Sequence, residues 1–126
     1  DESGSSKQCC LFHYQEWPAD ASRPKPGSSL VNLFESVVKN QSKTGNKPIV
    51  VICNDGVGCS GTFLTAYSQI ERAKTEGVSD IFQFIRKARS QRPGLVDCLD
   101  QYIYCHEIIA DFAEDMSQYD NFKRYI

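Results

Sequence analysis

The apolar positions of this chain form two kinds of pattern, which together predict an α/β fold. In four stretches, beginning near residues 30, 60, 80 and 99, apolar residues recur every three or four positions, as one face of a helix requires. The predicted inward positions are Leu30, Leu33, Phe34, Val37 and Val38 in the first stretch, Phe63, Leu64, Tyr67 and Ile70 in the second, Ile81, Phe82, Ile85 and Ala88 in the third, and Tyr102, Ile103, Ile108, Ile109 and Phe112 in the fourth.

Two shorter stretches predict β-strands. Residues 9–17 alternate in part and are rich in aromatic side chains, and residues 49–52 are a continuous β-branched run, the pattern of a strand buried on both faces. Three prolines and a glycine predict an irregular loop at residues 18–27, and the polar residues 40–47 predict a second connection.

Capping residues indicate where the helices begin and end. Ser28 or Ser29 can cap the first helix and Ser79 the third, because a serine hydroxyl accepts a hydrogen bond from an unpaired amide at a helix start. Gly77 predicts the end of the second helix, since glycine adopts the left-handed conformation that closes a helix. Pro93 predicts the end of the third.

Length and composition indicate one globular domain. The 126 residues suffice for a single core, and contents of 40% hydrophobic and 24% charged residues are ordinary for a soluble protein. We expect residues 1–8 to form a frayed polar terminus and residues 9–126 to form the domain. The chain starts at Asp1 and not at a methionine, so we expect it to be part of a longer product. No apolar run reaches the length of a membrane span, and a net charge of -2 argues against nucleic-acid binding.

The cysteines predict neither a disulfide framework nor a metal site. They lie at positions 9, 10, 53, 59, 98 and 105, without the dense loop pattern of a disulfide-stapled domain, so we expect reduced thiols in the cytosol. No CxxC pair occurs, and neither His13 nor His106 has a ligand-like spacing to a pair of cysteines.

The segment after the β-branched run carries the clearest chemical signal. Cys53 follows the predicted strand, and a loop that contains two glycines leads into the second helix. Glycines let a tight loop curl, and its backbone N–H groups and the helix N-terminus can hold an anion and favour a thiolate. The sequence therefore predicts a nucleophile position at Cys53 and a phosphate-binding loop formed by Asn54, Asp55, Gly56, Val57, Gly58, Cys59 and Ser60.

This segment resembles the signature loop of the cysteine-dependent protein tyrosine phosphatases, written HCxxGxxR[ST]. The cysteine, the glycines and the hydroxyl of Ser60 are present, whereas Ile52 stands at the histidine position and Cys59 at the arginine position. Asp55 also adds a negative charge where the family usually has a small neutral residue, and this charge opposes both a phosphate and a thiolate.

Trp17-Pro18-Ala19-Asp20 resembles the mobile loop that carries the general acid in the same family. Aligned without a gap, Ala19 replaces the acid. Aligned with one inserted residue, Asp20 supplies it. The sequence leaves both alignments open.

A third segment, residues 91–102, resembles the family's QRPxMVQTxEQY, whose two glutamines position the hydrolytic water. Gln101 matches the second glutamine, and Asp97 replaces the first. Residues 81–89 and 117–123 resemble receptor-type phosphatases of the alpha and epsilon kind, in particular their second, membrane-distal domain. The resemblance implies the C-terminal half of the phosphotyrosine protein phosphatase fold: few strands, the signature strand, loop and helix, and three to four packing helices.

The implied chemistry is attack of the Cys53 thiolate on phosphotyrosine, protonation of the leaving group by an aspartic acid, and hydrolysis of the intermediate. Because Cys59 cannot bind phosphoryl oxygens as an arginine does, we expect an inactive or very weak domain that acts as a regulatory, protein-binding pseudophosphatase. The alternatives are an active tyrosine phosphatase that uses Cys53 and Asp20, a redox sensor in which Cys53 and Cys59 form a reversible disulfide, and a structural piece without a working site.

The resemblance also implies partners and a location. The expected partners are phosphotyrosine proteins or a neighbouring phosphatase domain, and no cofactor is needed. A receptor with phosphatase domains in the cytosol would make the parent protein membrane-anchored and this domain cytoplasmic.

Overall fold

The computed structural model describes residues 4–28 and 30–124, with the side chains of the last helix described as far as Ser117. Within those residues the regular structure consists of α1 (Leu30–Thr44), α2 (Gly58–Glu76), α3 (Ile81–Gln91) and α4 (Leu99–Arg124). Helix α2 is central, because it packs against both α3 and α4. No helix in this part of the chain has the length and apolar character needed to cross a membrane.

Helix α1 joins the core through aromatic side chains. The ring centroid of Phe34 lies 5.1 Å from that of Phe63 and 5.9 Å from that of Tyr67. Tilted and edge-on ring pairs of this kind stabilise the fold by about 0.5–1.5 kcal/mol each, beyond the contribution of the surface that they bury.

Two predicted inward positions are wrong, since Phe82 and Ile103 are 59% and 42% exposed. The core cluster contains Leu30, Phe34, Val37, Phe63, Ala66, Ile70, Ile81, Ile85, Val96, Cys105, Ile108 and Ile109.

The predicted strands are wrong for the residues that the structure describes, and the α/β class is therefore not confirmed. Residues 9–17 and 49–52 have no regular structure. Val50 and Ile52 are 79% and 83% exposed, which contradicts burial on both faces. A strand needs a neighbouring strand, and no described ladder of backbone hydrogen bonds joins either stretch to another. Val51 packs partly against the core, as do Tyr14 and Trp17 of the first stretch.

Helix α1 begins at Leu30, where its first inward position was predicted, but it is longer than predicted. The Ser28 hydroxyl donates to the carbonyl of Lys25 at 2.5 Å, and the alternative cap, Ser29, lies outside the described residues. The helix continues to Thr44, into the polar segment 40–47 that was predicted as a connection. Polar side chains are compatible with the solvent-facing surface of a helix end, so polarity alone was a weak loop signal.

The junction between α2 and α3 confirms one capping prediction and corrects another. Gly77 closes α2 as predicted, with a φ of 72° and an N–H that donates to the carbonyl of Ala73. Helix α3, however, is capped by Asp80 and not by Ser79, because the Asp80 carboxylate accepts a hydrogen bond from the amide of Gln83 at 3.0 Å. A charged carboxylate also interacts favourably with the positive end of the helix dipole.

Helix α3 ends at Gln91, before Pro93, as predicted. The chain then turns back, and Arg89 holds the turn: its Nε donates to the carbonyl of Leu95 at 2.9 Å and its Nη2 to that of Val96 at 2.6 Å. These hydrogen bonds to a charged donor stabilise the turn more than neutral ones would.

The turn lies directly on the first turn of α2. The Val96 N–H donates to the carbonyl of Val57 at 3.0 Å. A Cβ on Gly61 would lie 2.5 Å from the Val96 nitrogen, so only glycine permits this approach. Val96 has a φ of 60°, which is rare for a β-branched residue and persists where the surroundings hold it. The turn therefore brings the segment after α3 against the loop that precedes α2.

Candidate functional site

The cysteine loop ends in the first turn of α2. This helix begins at Gly58, so Cys59 and Ser60 belong to its first turn, and the loop proper is shorter than predicted. Cys53 is half-buried, and its Sγ accepts a hydrogen bond from the N–H of Gly56 at 3.2 Å. The thiol of Cys53 is thus held by one backbone amide of the loop that precedes α2.

The amides at the end of this loop already have an anionic partner within the chain. Asp55 Oδ1 accepts hydrogen bonds from the N–H groups of Val57 at 2.9 Å and Gly58 at 3.1 Å. The Cys53 thiol donates to the same oxygen, with Sγ 3.5 Å away. The two amides hold the pKa of Asp55 below its ordinary value, because they bind the charged form. A carboxylate of the loop thus caps α2.

Cys59 lies in an environment that keeps its thiol neutral. Burial is the largest cause that raises the pKa of Cys59, and electrostatic interactions with Cys53, Asp55 and Asp97 raise it further. The residue at the position where the resemblance implies an arginine is therefore an uncharged, weak donor near neutral pH.

Gln101 and Asp97 both reach the loop. Gln101 is buried, and its Oε1 accepts a hydrogen bond from the Asp97 N–H at 3.1 Å. A Cβ on Gly58 would lie 3.1 Å from the Asp97 carboxylate oxygens and 3.1 Å from Gln101 Nε2. The structure therefore places Gln101, the predicted water-positioning glutamine, against the start of α2. Asp97, which replaces the other glutamine of the family pattern, lies there as well.

Arg92 is a neighbour of the loop that the sequence analysis did not identify. A Cβ on Gly56 would lie 2.7 Å from Arg92 Nη2, and Gly56 also has a φ of 71°. Close approach and backbone conformation together require glycine here. Arg92 belongs to the segment that resembles the family, but nothing in its spacing from Gly56 indicates this contact.

The remaining loop residues differ in their surroundings. Asn54 is exposed. Ser60 is buried, and its hydroxyl has no hydrogen-bond partner among the residues that the structure describes. Neither residue is shown holding an anion.

Asp20 is exposed, and no described hydrogen bond or ion pair involves its carboxylate. The loop around it is fastened instead by Trp17, whose indole Nε1 donates to the carbonyl of Ala21 at 3.0 Å. The described contacts thus bring Gln101 to the loop of Cys53 but do not bring Asp20 there.

The loop of Asp20 is also tied to α4. Ser22 donates a hydrogen bond to the carboxylate of Asp100. Arg23 Nη2 lies 2.6 Å from Glu107 Oε2, its Nε lies 3.6 Å from Asp100 Oδ1, and its guanidinium lies 5.1 Å from the ring centroid of Tyr104. These contacts join residues that are distant in the sequence, which is why the sequence analysis missed them.

The cysteines are free thiols, including Cys53 and Cys59. The described residues contain no group of three or more side chains suited to holding a metal ion. The thiol and amide groups of the loop therefore define the site.

A cysteine thiol followed by a glycine-containing loop and a helix N-terminus is typical of a cysteine-based anion-binding loop, although here Asp55 accepts the amides of Val57 and Gly58. The family model for protein-tyrosine phosphatase matches residues 1–111. The chain belongs to the protein-tyrosine phosphatase family.

Its relatives include receptor-type proteins, as the resemblance implied. The chain is 41% identical over 112 residues to receptor-type tyrosine-protein phosphatase epsilon of Rattus norvegicus, covering 89% of this chain and 16% of that protein. It is 38% identical over 118 residues to receptor-type tyrosine-protein phosphatase alpha of Mus musculus, covering 94% of this chain and 14% of that protein. Tyrosine-protein phosphatase Lar of Drosophila melanogaster is 37% identical over 119 residues, covering 94% of this chain and 6% of that protein. The chain thus spans about one sixth or less of the length of these relatives.

Proposed function

We propose that this chain is a catalytically inactive or very weak unit of the protein-tyrosine phosphatase type that acts through protein contacts. The observation that carries the proposal is the carboxylate of Asp55 on the amides of Val57 and Gly58. Those amides are donors that a phosphate would need. A phosphate at the same place would have to displace the carboxylate or accept its repulsion at close range.

The arginine position supports the same conclusion. An arginine binds two phosphoryl oxygens and stabilises the charge that develops during phosphoryl transfer, and losing such a residue costs roughly 10³–10⁵ in rate. The pKa of Cys59 is raised by burial and by nearby negative charge, so its thiol stays neutral and cannot replace the arginine. Near neutral pH, a phosphate in this loop would therefore meet a neutral thiol at position 59 and the carboxylate of Asp55, and the cation beside the loop would be Arg92, at Gly56.

Asp97 further weakens the hydrolytic step. Where the resemblance implies a glutamine that positions water, this chain has a carboxylate, which accepts hydrogen bonds but cannot donate them when ionised. Gln101 alone remains as an amide beside the loop.

The receptor-type names of the relatives support a proposal about context. We propose that the parent protein is a membrane-anchored receptor whose phosphatase-type domains lie in the cytoplasm. The partner would be a neighbouring phosphatase domain or a phosphotyrosine protein, which this unit would bind without rapid turnover.

An active tyrosine phosphatase is the second candidate, and the hydrogen bond from the Gly56 amide to Cys53 Sγ favours it. A donor to sulfur stabilises a thiolate, which is the nucleophilic form. The same sulfur donates to Asp55, however, and that carboxylate occupies the amides of Val57 and Gly58. We therefore rank this candidate below the inactive unit.

Hydrolysis of para-nitrophenyl phosphate by the chain, compared with its Cys53→Ser variant, tests the proposal. We expect no turnover that depends on Cys53. Turnover by the unaltered chain that disappears in Cys53→Ser would overturn the proposal in favour of an active phosphatase.

Binding of tungstate tests the role of Asp55 independently of activity. We expect no thermal stabilisation of the unaltered chain, but an upward shift in melting temperature of about 3–6 °C for Asp55→Ala combined with Cys59→Arg, at tungstate ten times its dissociation constant. Asp115→Ala, which removes an exposed acid on α4, is the matched control and should gain nothing. Absence of a gain in the double variant would show that the loop is not a retained anion site.

A further inference from the structure

A groove of about 580 Å³ lies between α3 and the beginning of α4, and Asp97, which also lies beside the loop of Cys53, is one of the residues that line it. Ile85 forms part of its floor and is buried, whereas Phe82 and Leu99 line it with 59% and 71% of their surface exposed. Large apolar side chains left this exposed, side by side along one groove, are typical of a surface that contacts another molecule.

Arg86, Arg89 and one acid, Asp97, line this groove, and further positive charge lies beside it on α3 and the turn that follows. Residues 81–96 contain Arg86, Lys87, Arg89 and Arg92 and no acidic residue, whereas the chain as a whole has a net charge of -2. Positive charge is therefore concentrated on α3 and the turn that follows it. A surface of this kind attracts negatively charged partners and disfavours the binding of positively charged ones.

The basic residues differ in how free they are to bind a partner. Arg89 is used within the chain, on the carbonyls of Leu95 and Val96. No ion pair of the described residues involves Arg86 or Lys87, and Arg86 lines the groove. Arg86 is thus the cation in the groove that remains available to a carboxylate from outside.

One acid, Asp97, lines the groove together with the basic residues. Asp97 lies beside the start of α2, where the loop of Cys53 enters the helix. It gives the groove a polarity, because a negatively charged ligand is favoured near Arg86 and disfavoured near Asp97. Tyr102 lies on the α4 side, half-buried, and adds an aromatic surface.

We infer that this groove binds an acidic protein segment that carries a large apolar side chain. The apolar side chain lies between Phe82 and Leu99 over Ile85, and a carboxylate of the segment pairs with Arg86. An apolar anchor in a pocket with a charged rim is the common arrangement of a small protein-binding site. The site goes beyond the proposed function, because it does not depend on whether the loop of Cys53 binds phosphate.

Fluorescence anisotropy with two labelled peptides tests the inference. The probe is Glu-Glu-Leu-Phe-Glu-Asp, and its matched control replaces every acidic residue by lysine. We expect binding of the acidic peptide alone, with affinity that falls as salt is raised. Arg86→Glu and Phe82→Ser should each weaken it by about tenfold or more, whereas Arg86→Lys should retain most of it.

The control variant is Lys39→Glu, which makes the same charge reversal on an exposed position of α1 outside the groove. It should leave the affinity for the acidic peptide within about twofold of the unaltered value. Circular dichroism of each variant checks that the helices are retained. If Phe82→Ser unfolds, the comparison of Arg86→Glu with Arg86→Lys still tests the inference, because only the first reverses the charge.

Three outcomes would overturn the inference. Equal affinity for the lysine peptide, or affinity unchanged by Arg86→Glu, would exclude recognition of an acidic segment at this groove. Self-association of the chain that disappears in Arg86→Glu, seen by sedimentation without any peptide binding, would assign the groove to a second copy. Binding to phosphatidylserine vesicles but not to the acidic peptide would assign it to a lipid surface.

Discussion

The carboxylate of Asp55 acts on its two neighbouring groups in opposite ways. It stabilises α2 by accepting the amides of Val57 and Gly58, and those hydrogen bonds hold its own pKa low. Its negative charge raises the pKa of Cys59, after the larger effect of burial. One residue therefore both completes a helix cap and keeps the adjacent thiol protonated, which links the shape of the loop to its chemical inertness.

Replacing Asp55 should make Cys59 more reactive. Only the thiolate is alkylated by iodoacetamide, and a raised pKa leaves less thiolate at any pH below it. Asp55→Asn removes one negative charge beside Cys59, so its pKa should fall and its alkylation at pH 8 should be faster. Peptide mapping by mass spectrometry measures the rate for each cysteine separately.

Cys105 is the internal control for that measurement. Burial alone raises its pKa to about 12, so it should be unreactive at pH 8 in both proteins. The stabilisation associated with its neutral thiol is complete below pH 9 and is lost as the pH rises towards 12. Equal alkylation rates of Cys59 before and after the substitution would contradict a charge effect from Asp55.

Polar contacts position two elements, the start of α3 and the loop of Asp20. Helix α3 begins where Asp80 accepts the Gln83 amide, and the backbone N–H of Asp80 donates to Gln69 Oε1 of α2 at 2.7 Å. The loop of Asp20 is fastened to α4 through Arg23. The contacts of Asp80 orient α3, which carries the basic residues beside the groove. Those of Arg23 hold the loop of Asp20, the general-acid candidate that no described contact links to Cys53.

Asp80→Ala should destabilise the chain by about 1 kcal/mol, because it removes the side-chain acceptor at the start of α3. The midpoint of urea unfolding measures the loss. Ser79→Ala is the matched control, since Ser79 does not cap the helix, and it should leave the midpoint unchanged. A larger loss of stability in Ser79→Ala than in Asp80→Ala would show instead that Ser79 caps the helix, as the sequence predicted.

Arg23→Met should loosen the loop at residues 17–24 more than it lowers overall stability. Partly exposed ion pairs contribute about 0–1 kcal/mol, so the unfolding midpoint should change little. Hydrogen exchange of the Ala21 amide should become faster, because the tie to Glu107 and Asp100 is lost.

Lys25→Met controls for the removal of a nearby charge. Lys25 forms an ion pair at 3.8 Å with Glu16, and both side chains are more than half exposed. Its removal should leave exchange at Ala21 unchanged. Similar exchange in all three proteins would show that α4 does not restrain this loop.

On the scale of the whole molecule, the helices share one core while an apolar stretch remains outside it. The core cluster draws on α1 to α4 and the turn at Val96. Val50 and Ile52, in contrast, expose most of their surface, and Leu11 is 85% exposed. Apolar surface of this kind favours association, so the behaviour of the chain in solution depends on residues that contribute little to its core.

The double variant Val50→Lys and Ile52→Lys should therefore bind less of the dye anilinonaphthalene sulfonate and aggregate less. Its melting temperature should stay close to that of the unaltered chain, since exposed substitutions change stability by about 0.5 kcal/mol or less. Val51→Lys is the contrasting variant, because Val51 packs against the core, and it should lower the melting temperature. Equal dye binding by the double variant would contradict the exposure of these residues.

The helices could be predicted because their signals are local. The ends of α2 and α3 at Gly77 and before Pro93 follow from backbone preferences of single residues, and most inward positions follow from periodicity. Local signals also explain the errors. Ser79 and Asp80 are adjacent and both suit a cap, and a β-branched run has the same composition whether or not a neighbouring strand is available to it.

The sequence by itself determined the helical segments, the cysteine loop and the family, because each is written in residues close together along the chain. The hydrogen bonds of Asp55 are also local, since its carboxylate accepts from amides two and three residues away. Only the tertiary structure decided what else surrounds the loop: Arg92 lies against Gly56, and Gln101 reaches Gly58. The physical reason is that the contacts of Arg92 and Gln101 depend on where α3, α4 and their turns pack in space, which no spacing within a single segment specifies.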